Sequence, residues 1–260
     1  MNDYKSDHAG REENESRSDL IEGRNAILEA IRAGRTIDKV YVAAGSTDRA
    51  LDRIAAMAKQ AGAVVVSVDR RKLDTMSATG AHQGVIAAVA AHTYCSIDDI
   101  LNAAAAKGEA PLLVLCDELA DPHNLGAIIR TAECAGAHGV VITKRRSVGL
   151  TAVVDKAAAG ALEYMPIARV TNLTQAIQEL KKRGVWVYGA AMEGQTSLYQ
   201  ADLRDAAAIV IGSEGFGMSR LVEEQCDVKV RIPMHGHITS LNASAAAAIM
   251  LYEAVRQRKK

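Results

Sequence analysis

The pattern of apolar and polar positions divides the chain into three stretches. Residues 1–18 are polar and charged with no apolar periodicity, so they cannot bury enough surface to order themselves and a flexible tail is expected. From Asp19 the pattern becomes regular. Gly23 to Ile31 places apolar residues at 27, 28 and 31 and reads as a helix. Lys39 to Ala43 reads as a strand. Asp48 to Gly62 reads as an amphipathic helix closed by Gly62, Val64 to Val68 as a buried strand, Arg70 to Met76 as a short helix and Gly84 to Val89 as a third strand. Together they predict a compact α/β domain over residues 19–91. Residues 92–109, with Tyr94, Asp98-Asp99 and a run of alanines at 103–106, read as a linker that contains a short helix.

A second α/β pattern opens at Pro111. Its strands are expected at Leu112 to Cys116, Gly139 to Ile142, Met165 to Ile167, Val185 to Tyr188, Ala208 to Ile211 and Val228 to Ile232, with helices between most of them. Near-continuous apolar strands alternating with helices imply a mostly parallel sheet covered on both faces, over residues 110–260.

Composition narrows the function. Of the 260 residues 49% are hydrophobic but only 3% aromatic, which suits small aliphatic side chains between helices and sheet and argues against a single-strand binder built on stacking. The formal net charge is zero, so an RNA partner needs local basic patches. Candidates are Arg70-Arg71-Lys72, Lys144-Arg145-Arg146, Lys181-Lys182-Arg183 and Arg256 to Lys260, each also readable as solvated surface or a helix end. The cysteines, Cys95, Cys116, Cys134 and Cys226, form no Cys-x-x-Cys pair and have no histidine at ligand spacing, so no metal is expected. Free thiols, no apolar run of bilayer length and no apolar core at the N-terminus point to the reducing cytoplasm, without membrane association.

Three clusters carry candidate chemistry. The first, Asp121 to Glu133, follows an apolar strand. Pro122 and Asn124 are expected to start a helix, with Asn124 as its cap, Leu125, Ile128, Ile129 and Ala132 on one face, and Arg130 on the opposite face one turn from Glu133. The second, Val210 to Ser219, runs from a strand into the turn Gly212-Ser213-Glu214-Gly215-Phe216-Gly217, with Ser219 placed to cap the next helix. Lacking a lysine and holding Glu214, this turn would repel a pyrophosphate and suits a cationic ligand such as a sulfonium, or a hydroxyl or amine donor. The third, Ile232 to Ser244, enters a loop with His235 and His237 and continues into an Ala-rich helix near Asn242. No third ligand accompanies the two histidines.

Asn124-x-Gly126-x-x-x-Arg130, Ile211-Gly212-Ser213-Glu214-Gly215-x-Gly217, and Ile232-Pro233-Met234 through Ser240-Leu241-Asn242-Ala243-Ser244 resemble, in this order, the three motifs of the SpoU or TrmH family of RNA 2′-O-ribose methyltransferases in the SPOUT superfamily. Gly23 to Ala30 and Thr79 to Val85 resemble the family's N-terminal substrate-binding module, which is similar to ribosomal protein L30. The resemblance implies an α/β fold with a C-terminal trefoil-knot domain and a smaller L30-like domain, and a homodimer whose site borrows residues from both subunits. It implies S-adenosylmethionine as cofactor, held by the backbone of Gly212, Ile232 and Leu241 with Met234 nearby. It implies Arg130, Asn124, Glu214 and Asn242 as catalytic residues, and Arg24 and Ser240 as RNA contacts, Ser240 being readable also as a helix cap. Since a guanidinium stays protonated, Arg130 would stabilise charge on the ribose oxygen rather than act as a base. The target so implied is a guanosine ribose in the peptidyl-transferase loop of large-subunit 23S rRNA. A tRNA ribose methyltransferase of the same family and a non-catalytic RNA-binding protein are the alternatives. A dinucleotide-dependent oxidoreductase lacks its Gly-x-Gly-x-x-Gly turn.

Overall fold

A computed structural model describes residues 19–46 and 48–258; the expected tail over 1–18 lies outside them. The chain forms two units, one running to Thr93 and taking in Gly149–Val153, the other comprising Tyr94–Val148 and the chain from Val154 on.

The first unit contains β1 (Leu20–Glu22), α1 (Arg24–Arg32), β2 (Ile37–Ala43), α2 (Arg49–Gln60), β3 (Val64–Val68), α3 (Arg70–Met76) and β4 (Val85–Val89). Its four strands run in the order β1-β4-β2-β3, with β2 and β3 parallel and the other pairs antiparallel. Asp48 caps α2 by accepting from the Ala50 N–H, and Asp69 caps α3 by accepting from Arg71. Ile27, Val40, Leu51, Ile54, Val85 and Ala87 close one core. The pattern missed β1, whose three residues are too short to show an alternation; it is fixed by pairing Leu20 with Ala88.

The second unit contains α4 (Ile97–Ala106), β5 (Leu112–Cys116), α5 (Pro122–Cys134), β6 (Gly139–Thr143), all but the first two residues of α6 (Ala152–Ala158), β7 (Ile167–Val170), α7 (Leu173–Lys182), β8 (Trp186–Ala190), β9 (Thr196–Ser197), β10 (Ala207–Ile211), α8 (Arg220–Gln225), β11 (Val228–Arg231) and α9 (Ala243–Arg258). Its seven strands are all parallel, in the order β7-β6-β5-β10-β8-β11-β9. Every residue of β5, β6 and β10 is buried, as strands covered on both faces must be. The late strand β10 lies between the early strand β5 and β8, and α9 packs on α5 and β10, in keeping with the knotted architecture that the motifs imply.

Two expectations change. The strand expected from Met165 begins at Ile167, after Pro166, which has no N–H to give to a ladder. The stretch 92–109 is largely a core helix of the second unit rather than a linker. Ser96 and Asp99 form a reciprocal capping box that starts α4. Ile100 on that helix is fully buried, and a Cβ at Gly139 would come within 2.4 Å of it.

Candidate active site

The carboxyl ends of β8, β10 and β11 open onto a cavity of about 570 Å³, at the edge where parallel sheets place their ligands. Gly212 follows β10 directly and the chain there doubles back on itself. Ser213 and Gly217 exchange both backbone hydrogen bonds at 2.9 Å, with Gly215 and Gly217 at φ +83° and +69°. A Cβ at position 212 would lie 2.1 Å from the Gly217 carbonyl carbon, so only glycine closes this turn. Its far end is held by Asp117, a buried residue just after β5 whose carboxylate accepts from the Ser219 N–H at 2.6 Å. Ser219 stands at the N-cap of α8 but makes no side-chain cap, contrary to expectation. Sequence reasoning missed Asp117; its only signal was a carboxylate directly after an apolar strand.

The cap of α5 is likewise reassigned. Asp121, not Asn124, accepts from the His123 N–H, with Pro122 in the first helical position. Asn124 is buried within the first turn and turns its side chain to the third motif. Its amide donates to Glu214 Oε1 at 2.6 Å, and its oxygen accepts from the Asn242 amide at 2.9 Å. Asn242 also donates to Glu214 Oε1 at 2.6 Å. The Asn242 oxygen in turn accepts from the N–H groups of Ser244 and Ala245, capping α9, so Ser240 does not serve as that cap. One residue from each motif thus joins a single hydrogen-bonded cluster.

Seven of the expected site residues line the cavity: Gly212, Glu214, Ile232, Met234, Ser240, Leu241 and Asn242. The charged residues among the lining are Glu193, Glu214 and Glu223, with no lysine, arginine or histidine. That wall favours a net-positive ligand and disfavours a phosphate. Ala243 and Ala246, from the Ala-rich start of α9, also line it and add little bulk.

Arg130 is not part of this lining. It lies six residues beyond Asn124 on α5, about a third of a turn round the helix. Its side chain is exposed and has no hydrogen-bond or ion-pair partner among the described residues; the expected contact with Glu133 is not made. Gly126, between them, is a packing residue: a Cβ there would sit 2.4 Å from Ala157 Cβ and 2.8 Å from the Val154 carbonyl oxygen of α6. Arg24, the expected RNA contact in the first unit, clamps its own fold. It pairs with Asp48 at 2.6 Å, and its Nε donates to the Gln83 carbonyl at 3.2 Å.

Among the described residues no group of three or more His, Cys, Asp or Glu is placed to hold a metal, and no helix is long and apolar enough to cross a membrane.

Comparison with known proteins adds to this geometry. Residues 111–252 match the model of the SpoU rRNA Methylase family, and residues 20–95 match that of RNA 2'-O ribose methyltransferase substrate binding. A Bacillus subtilis relative, YacO, whose name assigns it to the TrmH family of tRNA/rRNA methyltransferases, is 47% identical over 240 residues, 92% of this chain and 96% of that protein. An AdoMet-bound rRNA methyltransferase from Sinorhizobium meliloti superposes with a TM-score of 0.57 at 26% identity, over 91% of this chain and 86% of that one. The A. aeolicus TrmH/SpoU tRNA modifying enzyme superposes with a TM-score of 0.53 at 29% identity, over 58% of this chain and 77% of that one.

Proposed function

The chain belongs to the SpoU rRNA methylase family and is an S-adenosylmethionine-dependent RNA 2′-O-methyltransferase, and from this premise we propose that its substrate is large-subunit 23S rRNA, at a guanosine ribose of the peptidyl-transferase loop. The observation that carries the chemistry is the Asn124–Glu214–Asn242 cluster on the rim of a cavity whose ionisable lining is entirely acidic. The choice of rRNA is supported by coverage. The neighbour named as an rRNA methyltransferase matches over 91% of the chain, whereas the neighbour named as a tRNA modifying enzyme matches 58%, a share close to that of the second unit alone. The guanosine and its loop rest on the resemblance of the motifs and of the N-terminal module.

The cavity fits the cofactor. S-adenosylmethionine carries a sulfonium and an ammonium against one carboxylate, a net positive charge that the acidic wall accepts. Gly212, Ile232 and Leu241 would hold it through their backbone, with Met234 beside it. When bound it supplies the methyl group as an electrophile that needs no further activation. The protein must bring a ribose 2′-oxygen into line and deal with its proton. Glu214 fixes both asparagine amides through its Oε1, and its other carboxylate oxygen would be left for the ribose hydroxyl. Arg130 supplies a planar, permanently charged fork that stabilises negative charge on the 2′-oxygen and can hold the adjacent phosphate, which the acidic wall cannot. Because Arg130 lies off the lining of its own cavity, we place the complete site in a homodimer, with Arg130 of one subunit serving the cavity of the other. Ser240, on the rim, is the RNA contact retained from the sequence; Arg24 acts first by stabilising its own domain.

The test is methyl transfer to unmodified 23S rRNA and to tRNA transcripts, with the modified ribose mapped. A 2′-O-methylguanosine in the peptidyl-transferase loop is expected; a methyl group on tRNA alone would replace the rRNA assignment.

A further inference from the structure

Phe216 is the one phenylalanine in the chain, and its side chain is 94% exposed. It stands at the tip of the turn between Gly215 and Gly217, both in the left-handed region. The turn beneath it is not loose: the paired Ser213–Gly217 hydrogen bonds close it, and the Ser213 hydroxyl donates to the Gly217 carbonyl. Phe216 is also the only aromatic ring among the residues lining the cavity. The described residues therefore present a large apolar face to solvent at the mouth of the methyl-transfer site and pack little against it.

We infer that Phe216 is a substrate-positioning residue that stacks on an unpaired nucleobase next to the methylated ribose. The inference rests on the RNA methyltransferase reading and names how the RNA is gripped at the rim. Charge decides between gripping the backbone and gripping a base. Of the lining carboxylates Glu223 pairs with Lys229 at 2.9 Å, while Glu193 and Glu214 repel phosphates. Apart from the phosphate that Arg130 of the other subunit can reach, RNA at this mouth is therefore held through a neutral surface. A base face on an aromatic ring is such a surface, and it is the usual means of holding single-stranded RNA. The exposure of the ring also separates this role from that of a cofactor lid, since a ring folded over the cavity would lose most of its solvent contact.

The experiment compares the full-length wild type with Phe216→Leu and Phe216→Trp, using an unmodified 23S rRNA transcript. Removing one stacked base should raise KM for RNA about tenfold in Phe216→Leu, with the S-adenosylmethionine dissociation constant within about twofold of wild type. Phe216→Trp should restore KM, and its added indole fluorescence should be quenched on RNA binding beyond any change at Trp186 in the wild type. An unchanged KM in Phe216→Leu would overturn the inference. So would a defect that falls on cofactor affinity, which would make the ring a lid, or on subunit association, which would make it a protein contact. If the wild type methylates no RNA, the enzymatic reading itself fails; if it does and Phe216→Leu matches it, the stacking role alone is lost.

Discussion

The amide of Asn242 donates to the side-chain oxygen of Asn124 at 2.9 Å, across 118 residues of chain, and Glu214 accepts from both asparagines at 2.6 Å. A carboxylate is suited to the shared position because it only accepts. Glu214→Gln introduces an amide donor that can point at another donor. It should lower methyl transfer at least about tenfold while leaving the fold intact, because the group is exposed. Labelled-methyl incorporation beside a thermal melt measures both; undiminished turnover would remove the cluster from the mechanism.

Arg130 is exposed and without a partner among the described residues of its own subunit, so Arg130→Ala should change stability by less than about 0.5 kcal/mol. It should still lower turnover by about 100-fold or more, and Arg130→Lys should fail as well, since a point charge cannot replace the fork. Mixing the Arg130→Ala and Glu214→Gln proteins after unfolding tests where Arg130 acts. If it serves the partner's cavity, statistical two-fold dimers regain about a quarter of the wild-type rate. If it serves its own cavity, the mixture stays inactive. Light scattering that shows a monomer at micromolar concentration would refute the dimer.

Two glycines of the motifs should separate cleanly on substitution. Gly126→Ala drives a methyl group into Ala157 and the Val154 carbonyl, and should cost about 1–3 kcal/mol of stability. Gly212→Ala collides with backbone on the other side of a turn, at 2.1 Å, and the turn must open. Its principal effect should be on S-adenosylmethionine, bound at least about tenfold more weakly by calorimetry. Equal cofactor affinity in the two variants would contradict this division.

Glu22 accepts from the hydroxyl of Thr79 and the N–H of Ala78, each at 2.6 Å, and from the hydroxyl of Ser77. Burial pushes its pKa up, but these hydrogen bonds outweigh it and hold the carboxyl below the ordinary glutamate value. A pKa lowered by folding stabilises the native state above the unfolded pKa, and that stability is lost as pH falls through the folded pKa. Glu22→Gln should reduce stability at neutral pH by about 1 kcal/mol and flatten the decline on acidification. A denaturation series from neutral to strongly acidic pH measures both; an unaltered acid limb would show that Glu22 does not contribute to it.

The elements with local signals were legible in the sequence. Buried strands such as Leu112 to Cys116 announce themselves by composition, and Gly212, Met234, Leu241 and Asn242 stand in turns whose glycines and caps are local features. Contacts that need the closed fold were not legible. Nothing near Asn124 indicates that its partners are 90 and 118 residues away, and its place after Pro122 suggested a cap that Asp121 in fact provides. Arg24 is expected as an RNA contact from the motif resemblance, which does not reveal that Asp48 and Gln83, distant in the chain, accept from it. The alanines of α4 concealed a core helix, since its apolar bulk is confined to Ile97, Ile100 and Leu101 in the first half and only Ala104 is buried beyond them.

That helix fixes where the chain can be divided. A protein beginning at Tyr94 keeps α4 and Ile100 and should fold, bind S-adenosylmethionine and lose most of its affinity for RNA. One beginning at Glu109 loses a buried isoleucine from the core and should be less stable by about 2–5 kcal/mol. Comparative melts and RNA affinities at one fixed salt concentration test both statements. Full rRNA affinity in the shorter proteins would deny the first unit its role in recognition.

Because the cluster of Asn124, Glu214 and Asn242 is closed by contacts 28, 90 and 118 residues apart, no short segment of the chain can assemble it, and loops of that length close slowly. Cofactor affinity is then a property of the finished tertiary structure and reports on the completion of folding. By mass action, S-adenosylmethionine at a hundred times its dissociation constant adds about 2.7 kcal/mol to the native state. That protection falls on the unit that holds all the lining residues, so refolding of this unit can be followed by the return of a single ligand's affinity.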